Sequence, residues 1–96
     1  MSHIVTVTRY FAEWCGPCKA MKSDWDRLVA EYGGRVSFRE VDTDPVSNPQ
    51  GKAEVQERKI FSVPVIVFQR DGVDALEHFG ALRYARMKQH IESLLM

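Results

Sequence analysis

Between residues 11 and 35 the apolar pattern changes period twice, and this constrains the fold more than any other feature of the chain. "HIVTVTRYF", residues 3–11, alternates β-branched and polar residues and ends in two aromatics, the pattern of a strand. After Pro17 the period becomes helical. Cys18, Met21, Trp25, Leu28, Val29 and Tyr32 recur at three- and four-residue spacing, which predicts a helix over 16–32 with one apolar face, ended by Gly33-Gly34. Pro17 suits the first turn, where its missing N–H is no loss. "RVSFREVD", residues 35–42, alternates again. A strand, a helix and a second strand in this order force the two strands parallel.

The remainder adds elements without adding a second domain. "TDPVSNPQG", residues 43–51, reads as loop, and a weak helix is expected over 51–60. "VPVIVFQ", residues 63–69, is an apolar run short enough for a buried strand. Asp71-Gly72 signals a hairpin into a fourth strand over 73–79. The last stretch, "RYARMKQHIESLLM", places Tyr84, Met87, Lys88, Ile91, Leu94 and Leu95 on one helical face. The order β-α-β-α-β-β-α predicts a single α/β domain over 1–96, a central sheet with helices on its faces.

Charge and hydropathy exclude several classes of function. Thirteen basic and thirteen acidic residues cancel and are scattered, so no basic stripe points to nucleic acid or a membrane surface. No segment approaches the roughly 18 apolar residues of a membrane span. "MSHIVTVTRY" lacks the basic head and cleavage site of a secretory signal, and the expectation is a cytoplasmic protein that begins here. His3, His78 and His90 lie far apart and are expected to be solvent-exposed, with no metal site among them.

The only two cysteines, Cys15 and Cys18, fall within one turn at the start of the predicted helix, at the carboxyl end of the first strand, where α/β folds collect functional groups. A structural bridge here would close a very short loop and add little to stability. Two thiolates alone cannot complete a structural zinc shell. A dithiol that opens and closes is the reading the residues favour. Unpaired N–H groups at a helix start favour a thiolate at Cys15, whereas Cys18, a turn deeper on the apolar side, is expected to be the less solvated thiol. Cys15 would then attack and Cys18 resolve.

"WCGPCK" at 14–19 resembles the active site of the thioredoxin family, residue for residue. "SVPV" at 62–65 is similar to the family's cis-proline segment, and "FGAL" at 79–82 to the corner before its last helix. The resemblance runs from about residue 4 to the end. It implies a thioredoxin-like fold with a four-stranded mixed sheet, and a protein disulfide reductase that cycles a Cys15–Cys18 disulfide with no bound cofactor. Trp14, Gly16, Pro17 and Lys19 would complete the active-site loop, Lys19 adding a nearby positive charge. Val63, Pro64, Phe79, Gly80 and Ala81 would join Trp14 in an apolar rim for a partner's extended segment, Pro64 offering backbone. Trp25 is expected in the core. The implied partners are disulfide-containing proteins and thioredoxin reductase as electron donor, with the protein itself a monomer.

The sequence departs from the family pattern in three places. Full-length thioredoxins begin with a further strand and helix, for which this chain has no room, so the strand over 35–42 should lie at a sheet edge that Arg35 and Arg39 help to blunt. Six residues before Cys15, where the family keeps a buried aspartate, stands Arg9, and the family's partner lysine aligns with Glu40. The expectation is a pair with exchanged charges, Glu40 accepting the Cys18 proton; the alternative is an Arg9 that snorkels to solvent, with Tyr10 in its place. The 43–51 connection is a few residues longer than usual, and Asp42 just before it and Asp44 within it read as turn formers, two carboxylates being too few for a cation site. A glutathione-dependent, glutaredoxin-like reductase and a partner-binding module that uses the apolar rim are the rival readings.

Overall fold

The computed structural model describes residues 3–96. Strand β1 (Val5–Phe11) lies inside a four-stranded sheet of order β2-β1-β3-β4. It pairs parallel with β2 (Val36–Asp42) and antiparallel with β3 (Val65–Arg70), which in turn pairs antiparallel with β4 (Val73–Phe79). The sheet is therefore mixed, as expected. Helices α1 (Gly16–Ala20) and α2 (Lys22–Tyr32) connect β1 to β2. A 3-10 turn (Pro49–Gly51) and α3 (Lys52–Glu57) lead towards β3, and α4 (Tyr84–Leu95) closes the chain.

Strand alternation divides the interior in two. Val5 and Val7 of β1 and Ile66 and Phe68 of β3 meet Trp25, Leu28, Met87 and Ile91 on the face covered by α2 and α4. Tyr10, Val65 and Val67 point to the other face, against Val41 and Ile60. Because β3 is buried on both sides it reads as a continuous apolar run rather than an alternating one. Asp71 (φ 54°) and Gly72 (φ 81°) both take positive φ, as a two-residue hairpin with the twist of its strands requires.

Several expectations need correction. The single helix over 16–32 is two: α1 ends and α2 begins at Met21, whose backbone (φ −88°, ψ −3°) lies at the edge of the helical region. The break is one residue long and hardly rotates the apolar face, so periodicity does not reveal it. Val29 lies on the flank of that face and is exposed, while Trp25, Leu28 and Tyr32 are buried. The helix expected over 51–60 ends at Glu57, and Lys59 takes positive φ (57°). The strand expected from residue 63 starts at Val65, after a cis Val63–Pro64 bond. Arg35 precedes β2 and lies over the Tyr32 ring, 5.0 Å from its centroid. His78 and His90 are half-buried rather than exposed, the His90 ring 5.1 Å from that of Phe68. No helix of the described residues is long and apolar enough to cross a membrane.

Candidate functional site

The loop after β1 turns sharply, the Cys15 N–H donating to the Ala12 carbonyl at 3.1 Å, and this seats Cys15 as the N-cap of α1. Its Sγ accepts the Cys18 N–H at 3.2 Å, so the sulfur occupies the place that a serine or aspartate oxygen usually takes in a cap. Pro17 fits in the first turn. Cys15 and Cys18 are joined in a disulfide with Cα atoms 5.3 Å apart. Both are buried, 3% and 2% exposed, so in the bridged form the expected difference in solvation is absent. What distinguishes them is hydrogen bonding: Cys15 Sγ receives a backbone N–H.

The rim residues fall into two connected groups. Val63 packs against Cys15, Cys18 and Ala12. It also shares with Trp14, Thr43 and Phe61 a notch of about 110 Å³. Trp14 is 76% exposed and Phe61 91%. Phe79 is exposed and lies opposite Val65 in the sheet, and the Gly80 N–H donates to the Pro64 carbonyl at 2.8 Å. Gly80 has φ 105°, which a side chain tolerates poorly. Ala81 follows, exposed, as do Gly16, Pro17 and Lys19 beside the disulfide. Pro64 is buried and its carbonyl is engaged within the fold.

Phe61 escaped sequence reasoning. The available signal was an aromatic two residues ahead of "VP" with no helical or strand period to bury it.

Beneath the disulfide, Arg9 continues the row of Val5 and Val7 on the α2 face and is 3% exposed. It is directly opposite Glu40 in the β1–β2 register, and the two form an ion pair. Arg9 Nη1 donates to the Cys18 carbonyl at 3.0 Å. The guanidinium lies 4.9 Å from the Phe11 ring centroid and 5.6 Å from that of Trp25, and its Nε is buried without a partner. Arg9 therefore does not snorkel. Lys22, which sequence reasoning also passed over, donates to both Glu40 oxygens, at 3.1 and 3.3 Å. Partial burial pushes the Glu40 carboxyl up, but the hydrogen bonds from Arg9 and Lys22 outweigh it and hold the group below the ordinary carboxylate range.

A cavity of about 320 Å³ adjoins this cluster, lined by Arg9, Phe11, Glu13, Cys18, Lys19 and Lys22 among others. On the opposite face Arg39 pairs with Glu54, which also accepts from the buried Tyr10 hydroxyl. Asp42 and Asp44 are turn formers: their carboxylates accept the Asp44 and Val46 N–H groups at 2.9 and 2.8 Å. Among the described residues no group of three metal-ligating side chains comes together.

A mixed four-stranded sheet with a bridged C-x-x-C at the carboxyl end of β1, facing a proline-led strand, defines a thioredoxin-like fold with a thiol–disulfide site. Comparison with known proteins agrees: the thioredoxin family profile matches residues 1–93, and the chain belongs to the thioredoxin family. It is similar to thioredoxin X, a chloroplastic protein of Arabidopsis thaliana, at 32% identity over 93% of this chain and 47% of that one. It is 34% identical to thioredoxin-2 of Saccharomyces cerevisiae, over 93% of this chain and 79% of that one. The chain thus spans about half the length of the chloroplastic relative and most of the yeast one. A solved structure described as that of a malarial protein superposes with TM-score 0.82 at 20% identity, over 97% of this chain and 99% of the other, and agrees in fold. The paired cysteines fit the thiol–disulfide oxidoreductase chemistry of the family.

Proposed function

We propose that this protein reduces disulfides in other proteins. The observation that carries the reading is Cys15 at the cap of α1, its Sγ receiving the Cys18 N–H and bridged to Cys18. When the bridge is reduced, the same N–H favours a Cys15 thiolate, the attacking species. Cys15 attacks a substrate disulfide, a mixed disulfide forms, and Cys18 displaces the reduced product, restoring the Cys15–Cys18 bridge. Lys19, exposed beside Cys18, adds a weak and salt-sensitive preference for thiolate.

The substrate segment lies on the rim of Trp14, Phe61, Val63, Phe79, Gly80 and Ala81. Because the Pro64 carbonyl already accepts from Gly80, the backbone offered to that segment is Val63's, with Pro64 shaping the approach. Thioredoxin reductase is the electron donor in this reading, and a reducing compartment such as the cytosol is its setting, although relatives include chloroplastic proteins.

The test is reduction of insulin in two arms, one with NADPH and thioredoxin reductase, the other with NADPH, glutathione and glutathione reductase. Turnover in the first arm is expected. Turnover only in the second would make the protein a glutathione-dependent reductase, and activity in neither would overturn the proposal.

A further inference from the structure

We propose that Arg9 acts on Cys18 through its fixed charge, favouring the Cys18 thiolate so that the resolving step proceeds without a carboxylate base. This rests on the reductase reading above. Arg9 occupies a core position, and a leucine or methionine there would extend the row of Val5 and Val7 without the desolvation of a guanidinium. Instead the guanidinium is locked from several sides: on the Cys18 carbonyl at 3.0 Å, on Glu40, and against Phe11 and Trp25. It even leaves Nε without an acceptor. Such a placement fixes one positive charge next to the residue whose proton must leave.

The other charged groups facing this region are Glu13 in the loop, Lys19 on α1, Lys22 on α2 with its partner Asp26, and Glu40 on β2. Lys19, Lys22 and Glu13 are exposed, and the Glu40 side chain is 34% exposed against 4% for Arg9. Water screens them more than it screens Arg9, so the field at Cys18 is set by the cation. Glu40 is a poor proton acceptor, since both Arg9 and Lys22 already donate to its carboxylate. Its part is to moderate the Arg9 charge, which revises the role expected for it from the sequence.

In the step itself the Cys18 proton passes to solvent and the thiolate attacks Cys15 of the mixed disulfide. The Cys15–Cys18 bond forms as the bond from Cys15 to substrate breaks. The electron pair leaves on the substrate sulfur, which then takes a proton, and the two electrons end on the product.

The test uses the Cys15→Ser chain, in which Cys18 is the sole thiol, and follows thiolate absorbance in the ultraviolet against pH. Arg9→Met should raise the midpoint by about one pH unit, a tenfold loss of thiolate below it. Arg9→Lys should restore most of the shift. Glu40→Gln, at a partly exposed position, should move the midpoint the opposite way by leaving the cation without its neutralising partner. Opposite shifts support the proposal; an unchanged midpoint in either, or the same direction in both, overturns it. If Arg9→Met does not fold, Glu40→Gln decides alone, a lowered midpoint supporting and any other outcome overturning. The readout is independent of turnover: opposite shifts together with an intact Cys15, Cys18 chain that is inactive on insulin would refute the reductase reading only, and normal turnover of the intact chain without shifts would refute the role of Arg9 only.

Discussion

Replacing Phe61 with serine isolates the contribution of the rim to substrate recognition, because the ring is 91% exposed and supports almost nothing within the fold. Surface substitutions of this kind change stability by no more than about 0.5 kcal/mol. The gain that the ring offers a partner follows from area. A phenylalanine buries on the order of 150 Å² or more when covered, about 4 kcal/mol at roughly 25 cal/mol per Å². An extended segment lying across the notch between Phe61 and Trp14 covers one side of the ring, on the order of a third, or about 1.3 kcal/mol. That corresponds to about a tenfold change in affinity. Steady-state reduction of insulin should show kcat/KM falling about tenfold in Phe61→Ser, mostly through KM, while a small aromatic disulfide that need not span the notch is reduced within about twofold of the parent rate. An unchanged kcat/KM for insulin would remove Phe61 from the rim. An equal fall for both substrates would place its effect on the cysteines and refute the area argument.

Tyr10→Phe deletes the hydroxyl that donates to Glu54 while Glu54 keeps Arg39, so no charge is stranded. The lost bond to a charged acceptor should lower stability by about 1–2 kcal/mol and Tm by roughly 5–12 °C, read by calorimetry; an equal or higher Tm would refute it. Gly80→Ala meets no atom within contact distance of the new Cβ, yet at φ 105° it should cost about 1–3 kcal/mol in denaturant unfolding from backbone geometry alone. Burial of His90, with help from Arg86 and His78, lowers its pKa. The folded state therefore binds the proton less readily than the unfolded chain, so stability is full above about pH 6.5 and declines as pH falls through the folded value. His90→Gln should flatten that part of the stability profile, and an identical profile would show that the ring binds its proton alike in the folded and unfolded chain.

The order of elements was legible because each relies on its own period: two in β1 and β2, 3.6 in α2 and α4, an unbroken apolar run in β3. Errors arose where one residue changed geometry without changing that period. Met21 interrupts a helix and leaves Cys18, Met21 and Trp25 on the same face, so nothing in the spacing records the break. His90 looked like a surface residue because histidine usually is one, and only the packing of α4 on β3 brings its ring to Phe68. The cysteines were legible as chemistry from their spacing and neighbours. Phe61 was not, because an exposed aromatic carries no periodic signal.

The Arg9–Glu40 pair shows how topology decides the meaning of a charge reversal. The register that sets Arg9 opposite Glu40 follows from the parallel β1–β2 ladder, but which partner is buried follows from strand order. Arg9 is on an interior strand, covered by β2, β3 and α2, whereas Glu40 is on β2, an edge strand among the described residues, and keeps a third of its side chain in water. The anion is therefore screened and the cation is not. With β2 in the middle of a sheet, both charges would be desolvated alike and would nearly cancel at Cys18. At the edge the cancellation is incomplete, and a net positive field reaches the resolving cysteine. The sign at the inner position and the exposure of the outer one act together, and the opposite shifts predicted for Arg9→Met and Glu40→Gln measure both.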